Sequence, residues 1–143
     1  MQLTIPSILG YEVIARDAVA SLAKRFGLAP ERIEDIKTAL CEACTNAIEH
    51  GNHADPQRKV RVVCTIDEQH LIIEVCDEGT DPPVLPKKPV EWPICPYTSF
   101  RGRGLMLMAA LADEVTVVPD ALTGTCVRLI FYRHPTNVVV DVS

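Results

Sequence analysis

Glu42, Asn46 and His50 stand four residues apart in the stretch Glu42-Ala-Cys-Thr-Asn46-Ala-Ile-Glu-His50-Gly51-Asn52, so on a helix they share one side. Ile33, Ile36, Leu40, Ala43, Cys44 and Ala47 recur at helical spacing and form an apolar stripe. The polar row borders that stripe, with His50 closest to it. A carboxylate and a carboxamide one turn apart, at the rim of a buried face, suit holding a water and a hydrated Mg²⁺ side by side. A solvated helix flank accounts for the same spacing if nothing downstream joins it.

Three later segments add chemistry. In Leu71-Ile-Ile-Glu-Val-Cys-Asp77-Glu-Gly79, alternation puts Asp77 on the strand face that Leu71, Ile73 and Val75 bury. A buried carboxylate needs a partner. An exocyclic amine such as that of adenine can supply one, and Gly79 would let the backbone approach a flat ring. An ordinary turn after a strand fits the same residues. Arg101-Gly102-Arg103-Gly104 precedes the apolar run that begins at Leu105. Glycines opening a helix between arginines suit an anion, through free N–H groups, the helix dipole and added charge. A flexible turn is the simpler meaning. Thr123-Gly124-Thr125 begins the strand-like run to Tyr132 and by itself reads as a hairpin turn.

The elements that must position these residues are legible from periodicity and caps. A short edge strand is expected from Leu3 to Pro6, and a first helix from near Tyr11 to Phe26, stopping at Gly27. Ala29-Pro30-Glu31 starts a second helix, expected to run to Gly51. Val60 to Ile66 and Leu71 to Asp77 read as a hairpin, a third helix as running from about Gly104 to Ala112, and Glu114 to Val118 and Thr125 to Tyr132 as closing strands. Between Asp81 and Phe100 fall six of the chain's eleven prolines. Periodicity vanishes there, so the segment is expected to be a loop or lid, clamped by Trp92 and Tyr97. Residues 137–143 form an apolar tail. The expected fold class is α+β: a two-layer sandwich of about three helices over one mixed, mostly antiparallel sheet.

A chain of 143 residues suits one domain, taken here as residues 1–143. No apolar run is long enough to span a membrane, and Met1-Gln-Leu-Thr lacks the pattern of a signal peptide, so a cytoplasmic address is expected. A net charge of −5 argues against a general nucleic-acid surface. Six cysteines are many for this length. Without a secretory signal they are expected to act as small hydrophobes rather than as disulfides. Cys41-x-x-Cys44, with His50 and His53 nearby, invites a zinc reading, but Cys44 belongs to the apolar stripe and no second ligand pair follows.

In this order and at these separations, the four segments resemble the GHKL (Bergerat-fold) ATPase superfamily over nearly the whole chain, from about Thr4 to Tyr132. Glu42-Ala-Cys-Thr-Asn46-Ala-Ile-Glu-His-Gly looks like its N box, Asp77-Glu-Gly79 its G1 box, Arg101-Gly-Arg-Gly-Leu-Met-Leu-Met its G2 box, and Gly124-Thr125 a remnant of the last nucleotide box. The wording of the N and G2 boxes is similar to that of the anti-sigma factor serine kinases. The resemblance implies ATP and Mg²⁺ as cofactors, with Glu42 as the base for a serine hydroxyl and Asn46 on Mg²⁺. It implies Asp77 and Gly79 at adenine, and Arg101, Gly102, Arg103, Gly104 and Leu105 on the phosphate side. Thr125 would support Asp77 through a water, and His50 would be either a helix cap or a phosphate contact. It implies as partners a sigma factor and a serine-bearing antagonist, and a homodimer, with Arg16 on the first helix as an anchor; nucleic acid and membrane are not expected partners. The proline-rich segment at about 80–101 corresponds to the ATP lid. Asp81 stands where the family usually has a second G1 glycine, which places another carboxylate near the phosphates. Two other functions stay open: a nucleotide-gated binding protein that sequesters a partner without kinase activity, and a detached histidine-kinase catalytic domain. The P-loop and eukaryotic-type kinase signatures are absent from the sequence.

Overall fold

Apolar residues repeat every second position in the strands and every three to four in the helices, and the two patterns meet in one core. A computed structural model describes residues 1–79, 100–120 and 124–133. The described elements run β1 (Gln2–Pro6), α1 (Glu12–Phe26), α2 (Pro30–Asn46), a π-turn (Ala47–Gly51), β2 (Lys59–Ile66), β3 (His70–Asp77), α3 (Phe100–Leu111), β4 (Glu114–Asp120) and β5 (Gly124–Tyr132). The strand order is β1-β2-β3-β5-β4. This is the expected α+β sandwich, and among the described residues all four strand pairings are antiparallel.

Ile5, Val60, Val62, Leu71, Ile73, Val75, Leu129 and Phe131 point from one sheet face into the core, where they meet Val19, Ile36, Leu40, Ile48 and Met108 from the helices. The opposite face carries Thr4, Arg61, Glu74 and Arg128; Arg128 donates to Glu74 across β3 and β5 at 2.8 and 3.1 Å. The α2 helix is central and packs against both α1 and α3. Arg32 ties its first turns to the far end of α3. It donates to the Leu111 carbonyl at 2.7 Å, pairs with Asp113, and lies 4.9 Å over the Phe131 ring. Such an arginine acts by packing as well as by charge.

Helix ends follow the sequence where local cues govern them. Gly27, at φ 92°, closes α1, and Pro30 opens α2. Two boundaries differ. The α2 helix is regular only to Asn46 and then widens into the π-turn, with Asn52 N–H donating five residues back to the Ala47 carbonyl at 2.8 Å. The α3 helix begins at Phe100, four residues before the expected Gly104. Glycine weakens a helix only by about 1 kcal/mol, and packing on α2 outweighs that.

The cysteine expectation fails at one pair. Cys76 and Cys126 are directly opposed in the β3–β5 register and form a disulfide, their Cα atoms 3.9 Å apart. Neighbouring strands bring opposed residues within bridging reach whatever their sequence separation, and here that separation is 50. Cys41, Cys44 and Cys64 are free thiols. Cys44 is fully buried, and burial pushes its thiol pKa up. It is a core residue in protonated form, not a thiolate ligand. Among the described residues no helix is long and apolar enough to cross a membrane. The proline-rich segment expected as a lid, with Asp81, Trp92 and Tyr97, and the tail at 137–143 lie outside the described residues.

Candidate functional site

The four chemistry-bearing segments meet at one end of the sheet. Their meeting is measured most directly by what a methyl group would strike at three glycines. A Cβ on Gly104 in α3 would lie 2.7 Å from Nδ2 and 3.1 Å from Oδ1 of Asn46, so the first turns of α3 rest on the Asn46 carboxamide. A Cβ on Gly51 would lie 2.1 Å from Asp77 Oδ2, and one on Gly79 would lie 2.0 Å from the Gly51 carbonyl oxygen. The end of the π-turn therefore touches the end of β3 backbone to backbone. Across the sheet Asp77 is the register partner of Thr125.

Burial sorts the predicted residues. Asn46, Asp77 and Thr125 are buried polar side chains at 6%, 4% and 4% exposure, each held where an adjoining element covers it. Asp77 Oδ1 accepts the Gly79 N–H at 2.8 Å, which curls the chain after β3 around its own carboxylate. Gly79, Gly104 and Leu105 are buried as well. Glu42 and His50 are half-buried, and it is Asn46, not His50, that sits deepest in the row. The π-turn explains the difference. Its wider repeat begins at Ala47 and rotates His50 out of line with Glu42 and Asn46. Single π-turns of this kind recur at functional sites. Arg101, Gly102 and Arg103 lie in the first turn of α3; their side chains fall outside the described residues, as does Thr123. With the helix starting at Phe100, Gly102 keeps its place among the free N–H groups of the first turn, whereas Gly104 is beyond them.

Glu42 opens on a different surface from Asp77. It lines a shallow groove between α1 and α2 with Arg16, Glu34, Lys37, Thr38 and Cys41. Arg16 is held in that groove by Asp17, with Nε donating to Oδ1 at 2.9 Å. This hydrogen bond is the main reason its pKa is raised. So Asp77 lies against the π-turn that follows α2, whereas Glu42 lines the groove between α1 and α2.

Sequence reasoning missed two residues. Gly51 stands at the expected helix end, yet its φ is not positive; the close approach of Asp77 is what demands glycine there. Asn52 is fully buried and donates or accepts at three strand ends, and no local pattern marks it.

The chemistry of the donors suits Mg²⁺ and a nucleotide. The Asn46 side chain supplies a hard carboxamide oxygen, the donor type that Mg²⁺ prefers. The α3 backbone comes up against that carboxamide because residue 104 has no Cβ. Asp77 supplies a buried carboxylate whose Oδ1 accepts the Gly79 N–H.

The signature of the histidine kinase-like ATPase domain matches residues 5–131. The serine-protein kinase RsbW of Bacillus licheniformis is 34% identical over 126 residues, covering 85% of this chain and 79% of that protein. The RsbW of Bacillus subtilis is also 34% identical, over 122 residues, covering 82% and 76%. An anti-sigma F factor of Oceanobacillus iheyensis is 30% identical over 131 residues, covering 90% and 89%. Among solved structures, the RsbU and RsbW domains of Rv1364c from Mycobacterium tuberculosis superpose with a TM-score of 0.67 at 21% identity. The match covers 99% of this chain and 34% of that one, and it shows a shared fold.

Proposed function

Since this chain belongs to the histidine kinase-like ATPase family, and within it to the group of serine-protein kinases and anti-sigma factors, we propose that it is an ATP-dependent protein-serine kinase that also binds a sigma factor. Its protein substrate is a small antagonist bearing a serine, and the setting is the cytoplasm. The observation that carries this reading is the contact of Gly104 with Asn46 and of Gly51 with Asp77, which joins all the nucleotide-box segments at one sheet end.

In this mechanism Asp77 accepts a hydrogen bond from the adenine amine, a position where guanine presents an acceptor. Gly79 admits the ring. Thr125, paired with Asp77 across the sheet, supports it through a water. Asn46 would hold Mg²⁺ through its carboxamide oxygen; the bound ion supplies charge neutralisation for the phosphates. Gly102 offers a backbone N–H to phosphate, Gly104 and Leu105 pack beside it, and Arg101 and Arg103 supply positive charge. His50, at the edge of the π-turn, serves as a helix cap. Glu42 takes the proton of the attacking serine hydroxyl, so that the oxygen can bond to phosphorus as the bond to the leaving diphosphate breaks. The groove that Glu42 shares with Arg16 is where the serine-bearing segment would enter.

A homodimer completes the reading. It is supported by the exposed apolar run Ile8, Leu9, Tyr11, Val13 and Ile14 at the start of α1.

The test uses γ-labelled ATP, Mg²⁺ and candidate antagonist proteins presenting a serine. Label is expected on the antagonist serine, and Glu42→Ala should cut transfer by ~10²-fold or more while leaving ADP affinity in place. Tight ADP binding without any transfer would leave a nucleotide-gated binding protein. Label on histidine would identify a histidine-kinase catalytic domain.

A further inference from the structure

Asn52 closes the π-turn with its backbone and grips the sheet with its side chain. Its amide N–H donates to the Ala47 carbonyl at 2.8 Å. Its Oδ1 accepts the Glu78 N–H at 2.7 Å, and its Nδ2 donates to Ser7 Oγ at 2.8 Å and to the Lys59 carbonyl at 3.0 Å. The partners fix which way the carboxamide points, because a backbone N–H can only donate and a carbonyl can only accept. Ser7, itself buried, donates a hydrogen bond from its hydroxyl to the Arg58 carbonyl at 2.8 Å. One side chain with no exposed surface thus ties together the segments at the ends of β1, β2 and β3.

We propose that Asn52 is a positioning residue for nucleotide selectivity, acting through the Glu78 amide on the neighbouring Asp77 carboxylate. The proposal rests on the reading of Asp77 as the adenine acceptor. Glu78 lies between Asp77 and Gly79, and both flanking residues press on Gly51, the residue before Asn52. The grip on Glu78 and the contact at Gly51 therefore place the Asp77 carboxylate from two sides. Without the carboxamide, the Glu78 N–H and the Lys59 carbonyl lose a buried partner, and the turn after β3 must move to find water.

A residue that merely fills space would behave differently. Its loss lowers the folded fraction and weakens adenine and guanine nucleotides by the same factor, leaving their ratio unchanged. A residue that positions Asp77 alters the ratio.

The experiment measures ADP and GDP affinity with Mg²⁺ by calorimetry, well below each variant's melting point. Wild type is expected to prefer ADP. Asn52→Ala should weaken ADP by about tenfold or more, the worth of a hydrogen bond to a charged group, with GDP little changed. Ser7→Ala, which removes a partner remote from Glu78, should lower the melting temperature and keep the preference. Should Asn52→Ala fail to fold, Asn52→Ser serves. Its hydroxyl is too short to bridge Glu78 and Lys59 at once, so the same fall in preference is expected. A wild-type preference that persists in the Asn52 variant overturns this proposal alone. A wild type with no preference for ADP overturns the reading of Asp77 and this proposal with it.

Discussion

Gly51→Ala should destabilise the protein by about 3 kcal/mol, although alanine in place of a helical glycine ordinarily stabilises by about 1 kcal/mol. The added Cβ would lie 2.1 Å from Asp77 Oδ2, 2.4 Å from its Cγ and 2.8 Å from its Cβ. Ordinary contacts need roughly 3.5 Å, so the carboxylate must retreat by on the order of 1 Å. That retreat breaks the 2.8 Å bond from the Gly79 N–H. Loss of a bond to a charged group costs roughly 1.5–3 kcal/mol, and overpacking adds about 1–3 kcal/mol. The helical gain offsets about 1 kcal/mol of this, leaving a net cost of about 3 kcal/mol. At about 2.1 cal/mol/K per residue, a chain of 143 residues has an unfolding entropy of about 0.3 kcal/mol/K, so the melting temperature should fall by about 10 °C. Because the same carboxylate is the proposed adenine acceptor, ADP affinity should fall by about tenfold or more. Circular dichroism melts and calorimetry with ADP read the two effects. An unchanged or higher melting temperature would refute the close approach of Gly51 to Asp77. Full ADP affinity in a destabilised protein would refute the role of Asp77 but not the packing.

Reducing the Cys76–Cys126 disulfide releases a loop of 50 residues in the unfolded chain, worth about 4 kcal/mol by loop entropy. Melts with and without a dithiol, with thiols counted by mass spectrometry, check this; equal melting temperatures with both thiols free would sink it. Burial pushes the Cys64 thiol up from 9.0 to about 11. Its folded form therefore keeps a proton that the unfolded form loses, so stability should be flat below pH 9.0 and fall as pH rises towards about 11. A shallower fall in Cys64→Ala, by urea titration across that range, is the expected signature. Arg16→Ala should weaken capture of the sigma factor or the antagonist while leaving thermal stability and ADP affinity unchanged, because the pair it loses with Asp17 is exposed. Pull-downs quantify it, and undiminished capture of both partners would remove Arg16 from the interface.

The legible parts of this protein are those that a short window of residues decides. Gly27 and Pro30 mark helix ends because cap geometry is local, and Val75 and Asp77 share a strand face because side chains alternate. The spacing of Glu42 and Asn46 likewise needs only one helix. Where a neighbour distant in sequence takes part, those rules run out. Cys76 meets Cys126 across a separation of 50 because β3 and β5 are adjacent, and nothing near either cysteine specifies the partner. The α3 helix takes in Gly104 because α2 lies against it, with Asn46 beneath. His50 turns out of line because the chain widens into a π-turn at Ala47, a backbone choice that residue types do not announce. Asn52 looks like any turn asparagine in the sequence. It gains its role only when Ser7, Lys59 and Glu78 arrive from three strand ends to use its donors and its acceptor. Periodicity and capping act within a few residues, whereas burial of a polar side chain is settled by which distant groups reach it.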